Sequence, residues 1–230
     1  QALLWAEKNK LVKQQEPIKE IIQSLELQQT LSMAERAESG KNWDQAAEAY
    51  RKALSLSANI KTLGTASEIT HRFTAASFRR DLDQSKKAFT QSQWQETIRF
   101  LEQAQQTITN NPSVVTEKER IDLHKLLVNA RLYLMLSTAR EAYEAKQWDQ
   151  AIQQYQGALD LLNNDPESAK ELVGDSVDKI ERTLLLVNIA QLQEKVLIAD
   201  SNNDSAGVIR HGTAIQRLIQ GSKFTNDAAI

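Results

Sequence analysis

The sequence predicts an all-α chain built from serial, antiparallel helix-turn-helix pairs, and three observations carry that prediction. Trp43, Trp94 and Trp148 recur 51 and 54 residues apart, each inside the same pattern of small and aromatic residues. The apolar positions around them are spaced by threes and fours, which keeps side chains on one stripe of an α-helix. Glycine and proline, the punctuation of sheets and long loops, number only 7 and 3 among 230 residues, of which 41% are hydrophobic, enough for a packed core. No window alternates strictly between apolar and polar, so strand is not expected.

Aligned on the tryptophans, the positions six before hold Ala37, Ala88 and Ala142, and those twelve before hold Leu31, Leu82 and Leu136. Three after come Ala46, Thr97 and Ala151; seven after come Tyr50, Leu101 and Tyr155; ten after come Ala53, Ala104 and Ala158. Alanine where two helices cross lets the backbones approach, and the Trp or Tyr beside it fills the wider gap. Each tryptophan therefore marks a junction between a first and a second helix. Residues 1–16 read as an N-terminal helical stem or tether, and 17–230 as one helical-repeat domain with units at about 17–58, 59–111, 112–165 and 166–222.

In the first unit, Ser39-Gly40-Lys41-Asn42 interrupts the apolar stripe as a turn, with Asn42 placed to cap the second helix. The second unit leaves room for a short extra helix around Asn59 to Ser67, where Gly64 breaks the pattern. Pro112 and Pro166 each follow a junction tryptophan by 18 residues, and proline is favoured at the first position of a helix. From Pro112 to Gln147 the third unit has space for a helix of about 30 residues, about 45 Å at 1.5 Å per residue. The last unit keeps an apolar stripe of Val208, Ile209, Ile215, Leu218 and Ile219 but no junction aromatic, the alteration expected of a capping repeat. The count is thus three to four units of long and short helices.

The stretch from Met33 to Leu54, with Trp43, Ala46, Tyr50 and Ala53, closely resembles a tetratricopeptide repeat. So does Ala139 to Leu159, with Trp148, Ala151, Tyr155 and Ala158, while the middle copy, around Trp94 and Ala104, is more divergent. That family's unit is 34 residues, shorter than the spacing here. The resemblance implies an α-solenoid whose first helices line a groove for a peptide or partner helix. Carried onto this chain, its groove positions include Arg79, Lys86 and Phe89 in the second unit and Tyr133, Arg140 and Tyr143 in the third. Arginine and lysine there would clasp carboxylates and the rings would take apolar side chains. The same three rings fit packing between neighbouring units, and that reading of them takes precedence over the groove.

A net charge of −2 gives no general attraction to nucleic acid or anionic membrane. Charge is uneven along the chain, with 7 basic against 4 acidic residues from Lys61 to Arg99 and 4 against 10 from Glu141 to Arg182. The absence of cysteine removes disulfides and thiolate metal sites and leaves the compartment open. The opening Gln1-Ala2-Leu3-Leu4-Trp5 reads either as the exit of a transmembrane anchor, which would place the chain in the periplasm or otherwise outside the cytoplasm, or as the first turn of an ordinary helix.

No catalytic constellation is visible. His71, His124 and His211 are isolated, with no helical ligand spacing that would suit zinc, and Gly40-Lys41 lacks the flanking glycine of a phosphate loop. The basic run Arg72, Arg79, Arg80, Lys86 and Lys87 is interleaved with phenylalanine, yet Asp81 and Asp83 dilute it as a nucleic-acid patch. The expectation is a non-enzymatic interaction scaffold of bacterial type, without metal, cofactor or nucleic acid, that binds a protein or peptide partner. Two alternatives stand beside it: a structural protein that stacks head to tail as a homo-oligomer, and a regulatory or localising domain of a larger membrane-anchored protein.

Overall fold

The computed structural model describes residues 1, 4, 12–58, 65–165 and 176–225. Most of Gln1–Trp5, the extra helix proposed around Asn59, and Pro166 lie outside the described residues. Among the described residues the chain forms eight α-helices and no strand. They are α1 (Val12–Ser39), α2 (Trp43–Ser57), α3 (Thr65–Thr90), α4 (Trp94–Asn110), α5 (Glu117–Glu144), α6 (Trp148–Asn164), α7 (Ser176–Ser201) and α8 (Ser205–Gly221), with a 3-10 turn at Pro112–Val114. The odd-numbered helices have 28, 26, 28 and 26 residues, and the even-numbered ones 15, 17, 17 and 17. No described helix is long and apolar enough to cross a membrane.

Each long helix is joined to the short helix after it by the same turn, four times over. In the first, the Asn42 amide donates to the Ala37 carbonyl at 2.8 Å and the Lys41 amide to the Glu38 carbonyl at 2.9 Å. The corresponding long-reach bonds are Gln93 to Ala88 at 3.0 Å, Gln147 to Ala142 at 2.8 Å and Asp204 to Ala199 at 2.8 Å. This is the Schellman arrangement, which satisfies the last carbonyls of a helix by turning one residue left-handed. That residue is Lys41, Ser92, Lys146 or Asn203, with φ of 55, 58, 57 and 58°. Glycine is the usual occupant, yet Gly40 stands one position too early to serve. The alanine that accepts the long-reach bond is Ala37, Ala88 or Ala142, three of the aligned small residues, and Ala199 continues the series in the pair that has no tryptophan.

The starts of the short helices differ in their caps. Asn42 accepts from the Gln45 amide and Asp204 from the Gly207 amide, as a side-chain cap should. Gln93 and Gln147, one methylene longer, make no such bond. The third long helix begins later than its proline suggests. Pro112 opens the 3-10 turn, and α5 starts at Glu117 because Thr116 and Glu119 close a reciprocal capping box there. The Thr116 amide donates to the Glu119 carboxylate at 2.8 Å and the Glu119 amide to the Thr116 hydroxyl at 3.3 Å.

The chain divides into two compact units, residues 1–124 and 125–230, and the division falls within α5. In the first unit α1 packs on α2, α2 on α3 and α3 on α4. Its core gathers Leu27 and Ala34 from α1, Ala46, Tyr50 and Ala53 from α2, and Ile69 and Ala76 from α3. Tyr50 is completely buried, and burial of an apolar side chain of that size is worth about 1.5 to 3 kcal/mol. The divergent middle copy still closes: Leu101 and Ala104 are fully buried, and the Thr97 hydroxyl satisfies itself on the Gln93 carbonyl at 2.9 Å. In the second unit α6 packs on α7 and α7 on α8. Its core gathers Leu132, Ala139 and Ala142 from α5, Ala151, Tyr155, Ala158, Leu159 and Leu162 from α6, and Ile180 and Val187 from α7.

Candidate functional site

The residues singled out from the sequence as groove positions sort into two sets, one per unit. On α3, the Arg79 guanidinium pairs with Glu119 at 3.1 Å and lies 5.4 Å from the centroid of the Trp43 ring. Both charged groups of that pair are largely covered, so Arg79 ties α3 to the start of α5 and covers the junction indole; it is held by the fold. Burial opposes ionisation of Glu119, but the Thr116 amide and hydroxyl and the Arg79 guanidinium outweigh it and hold the carboxyl below its ordinary value. Lys86, two turns further along α3, is exposed.

Phe89 meets Trp94 edge to face, with centroids 5.2 Å apart and planes at 75°. Tyr143 meets Trp148 in the same way on α5 and α6, at 5.6 Å and 72°. Both rings stand five residues before their tryptophan, so two junctions share one aromatic contact, worth about 0.5 to 1.5 kcal/mol beyond burial. At the first junction Glu38 occupies that place and accepts from the Tyr50 hydroxyl at 2.6 Å instead. Burial first, and the Glu38 carboxylate second, push the Tyr50 hydroxyl up to about 12. All three indoles are half-buried, and the Trp148 ring N–H donates to Glu194 of α7.

Phe89 is thus a packing residue of its junction, whereas Tyr143 packs on one edge while 42% of it remains exposed. Tyr133 is 41% exposed on the same helix. Arg140 is exposed and pairs with Glu144 at 3.1 Å, a same-helix surface pair of the kind that contributes little to stability. The structure therefore leaves Tyr133, Arg140 and Tyr143 exposed on α5, and Lys86 as the exposed member of the α3 set.

The small and aromatic repeat positions behave as structural residues. Ala46, Tyr50, Ala53, Ala104, Ala151 and Ala158 are fully buried and Tyr155 nearly so, with burial raising the Tyr155 hydroxyl above its ordinary value. A concavity that sequence reasoning missed lies between α1 and α2, about 470 Å³ in volume, lined by Met33, Ala37, Glu48, Ala49 and Lys52 among others. Met33, 59% exposed, lies one residue off the aligned stripe position Ala34 and gave no separate signal. His71, His124 and His211 stand on α3, α5 and α8, and among the described residues no three His, Asp or Glu side chains gather at ligand distance. No family model, curated protein or solved structure matches the chain.

Proposed function

We propose that this chain is a non-enzymatic scaffold for protein-protein interaction, built as a tetratricopeptide-like α-solenoid, in which the long helices carry the docking face. The observation that supports this reading is the fourfold recurrence of one Schellman turn joining a long helix to a short one. Such a device gives every long helix the same relation to its short partner, and a series of such pairs is how repeat proteins generate an extended docking face. Each unit acts as its own surface: Lys86 on α3 in the first, and Tyr133, Arg140 and Tyr143 on α5 in the second. An exposed lysine in the first unit, and in the second an exposed arginine on the same helix as two part-exposed tyrosines, suit a partner segment that offers carboxylates and apolar side chains.

The test is retention of partner protein from an extract of the source cells on immobilised wild-type chain and on the Lys86→Glu, Arg140→Glu double variant. Both positions are exposed, so circular dichroism of the variant should match the wild type. The expected result is one or more proteins retained by the wild type and retained several-fold less by the variant. Retention of nothing by the wild type, or equal retention by both, would count against the docking face.

A further inference from the structure

The first and last of the described helices, α1 and α8, carry apolar positions that match, register for register, the two sides of an interface that the chain already uses internally. Counted back from the left-handed residue of the turn, the positions at −23, −19 and −16 of α3 are Ile69, Phe73 and Ala76, all packed in the core with α2. The same positions of α7 are Ile180, Leu184 and Val187, packed in the core with α6. In α1 they are Ile18, Ile22 and Leu25, apolar at all three, and Leu25 is 59% exposed. Among the described residues no short helix precedes α1 to receive them.

The other half sits on α8. Positions +5, +9 and +12 from the left-handed residue are Ala46, Tyr50 and Ala53 in α2 and Ala151, Tyr155 and Ala158 in α6, all of them buried. In α8 they are Val208, Gly212 and Ile215, which are only half-buried, and no long helix follows among the described residues. Gly207 is the sole residue of α8 that is buried outright. A terminal cap would present a polar outer face here; α8 keeps an apolar one, with Ile209 beside it 69% exposed.

Side-chain volume and charge match these two halves to each other. Inside the chain, the large residue at +9 is on the short helix (Tyr50, Tyr155) and the smaller one at −16 is on the long helix (Ala76, Val187). Between α8 and α1 the sizes are exchanged: Gly212 has nothing within 4 Å of where a Cβ would stand, and Leu25 is the large partner. At the rim, the Gln84 amide of α3 donates to Asp44 of α2 at 3.1 Å; the corresponding residues of α1 and α8 are Met33 and Ala206, both apolar. α8 carries exposed Arg210 and Arg217 and no carboxylate, whereas α1 carries five glutamates against three basic residues.

We propose that a second copy of this chain docks here, α1 of one molecule lying along α8 of the next with Leu25 seated over Gly212. The contact joins unlike surfaces, so it leaves a free α1 and a free α8 at the two sides of every assembly and grows with concentration. Its charge component weakens with salt. The residues involved are not those of the α3 and α5 docking surfaces, so either reading can fail alone.

Sedimentation velocity of the full chain over a range of concentration and salt tests this, together with Leu25→Glu and Gly212→Tyr, and Gly212→Leu should the tyrosine disturb folding. The wild type should associate with rising concentration, less so at high salt, and each single variant should remain monomeric with unchanged helicity. Mixed in equal amounts, the two variants should form a one-to-one pair that goes no further, because one retains an open α8 and the other an open α1. A wild type monomeric at every concentration, a variant that associates like the wild type, or two folded variants that do not pair when mixed would each overturn the proposal.

Discussion

Lys41, Ser92 and Lys146 each hold a left-handed backbone that costs a residue bearing a Cβ about 1 to 2 kcal/mol. Asn203 tolerates the conformation better, since its short polar side chain can bond locally. Glycine at Lys41, Ser92 or Lys146 should therefore raise stability by about 0.5 to 1 kcal/mol each after its entropy in the unfolded chain is counted, and at Asn203 by less. For a chain of this size that is about 1 to 4 °C per substitution in thermal melts. Melting temperatures that fall on Lys146→Gly would show that this residue is not left-handed. The turn itself was legible in the sequence, because Gly40 and Asn42 interrupt the apolar stripe; the residue that bends the chain was not. Lysine and serine carry no left-handed signature, and the glycine nearby does not take that conformation. The junction tryptophans were legible as junctions, but whether Phe89 and Tyr143 face a partner or a neighbouring ring depends on tertiary geometry that spacing alone leaves open.

At the scale of elements, the helices were readable from the three-and-four spacing and their long-short alternation from the distance between turn and proline, and the aligned alanines mark where the helices cross. The start of α5 was not read correctly, since Pro112 resembles a helix start while the capping box Thr116-Glu117-Lys118-Glu119 supplies the actual one. Proline fixes one backbone angle; the box satisfies two amides at once and draws in the Arg79 pair. Glu119 is held below its ordinary pKa in the folded state, so its stabilisation is fully present above the unfolded value of about 4.3 and is lost as pH falls through the lower folded value. Glu119→Gln keeps an acceptor for the Thr116 amide and removes the charge that pairs with Arg79, so it should cost about 0.2 to 1 kcal/mol at neutral pH. The loss should shrink toward zero only once pH has fallen below the lowered folded value, where the wild-type carboxyl is itself protonated. Thermal melts of both proteins from acid to neutral pH check this, and a gap that does not narrow in acid would remove Glu119 from the account. The capping residues Gln93 and Gln147, which accept no amide, also show how a family-like pattern conceals local detail.

At the scale of the whole molecule, two compact units are each organised around one buried cluster, and both use the same rule of a long helix laid on the preceding short one. The last pair follows the same turn without a tryptophan, which is why alignment on the indoles marked it only faintly: its register is set by Ala199 and Asn203. Its apolar stripe was visible in the sequence, but its partial exposure could be seen only once α7 was in place beside it. The account rests on the four turns being one device repeated, and NMR of the full chain measures that most directly. It predicts left-handed backbone couplings at Lys41, Ser92, Lys146 and Asn203, together with protected amides at Asn42, Gln93, Gln147 and Asp204. Right-handed couplings at those four residues, or rapid amide exchange at the residues that follow them, would contradict it.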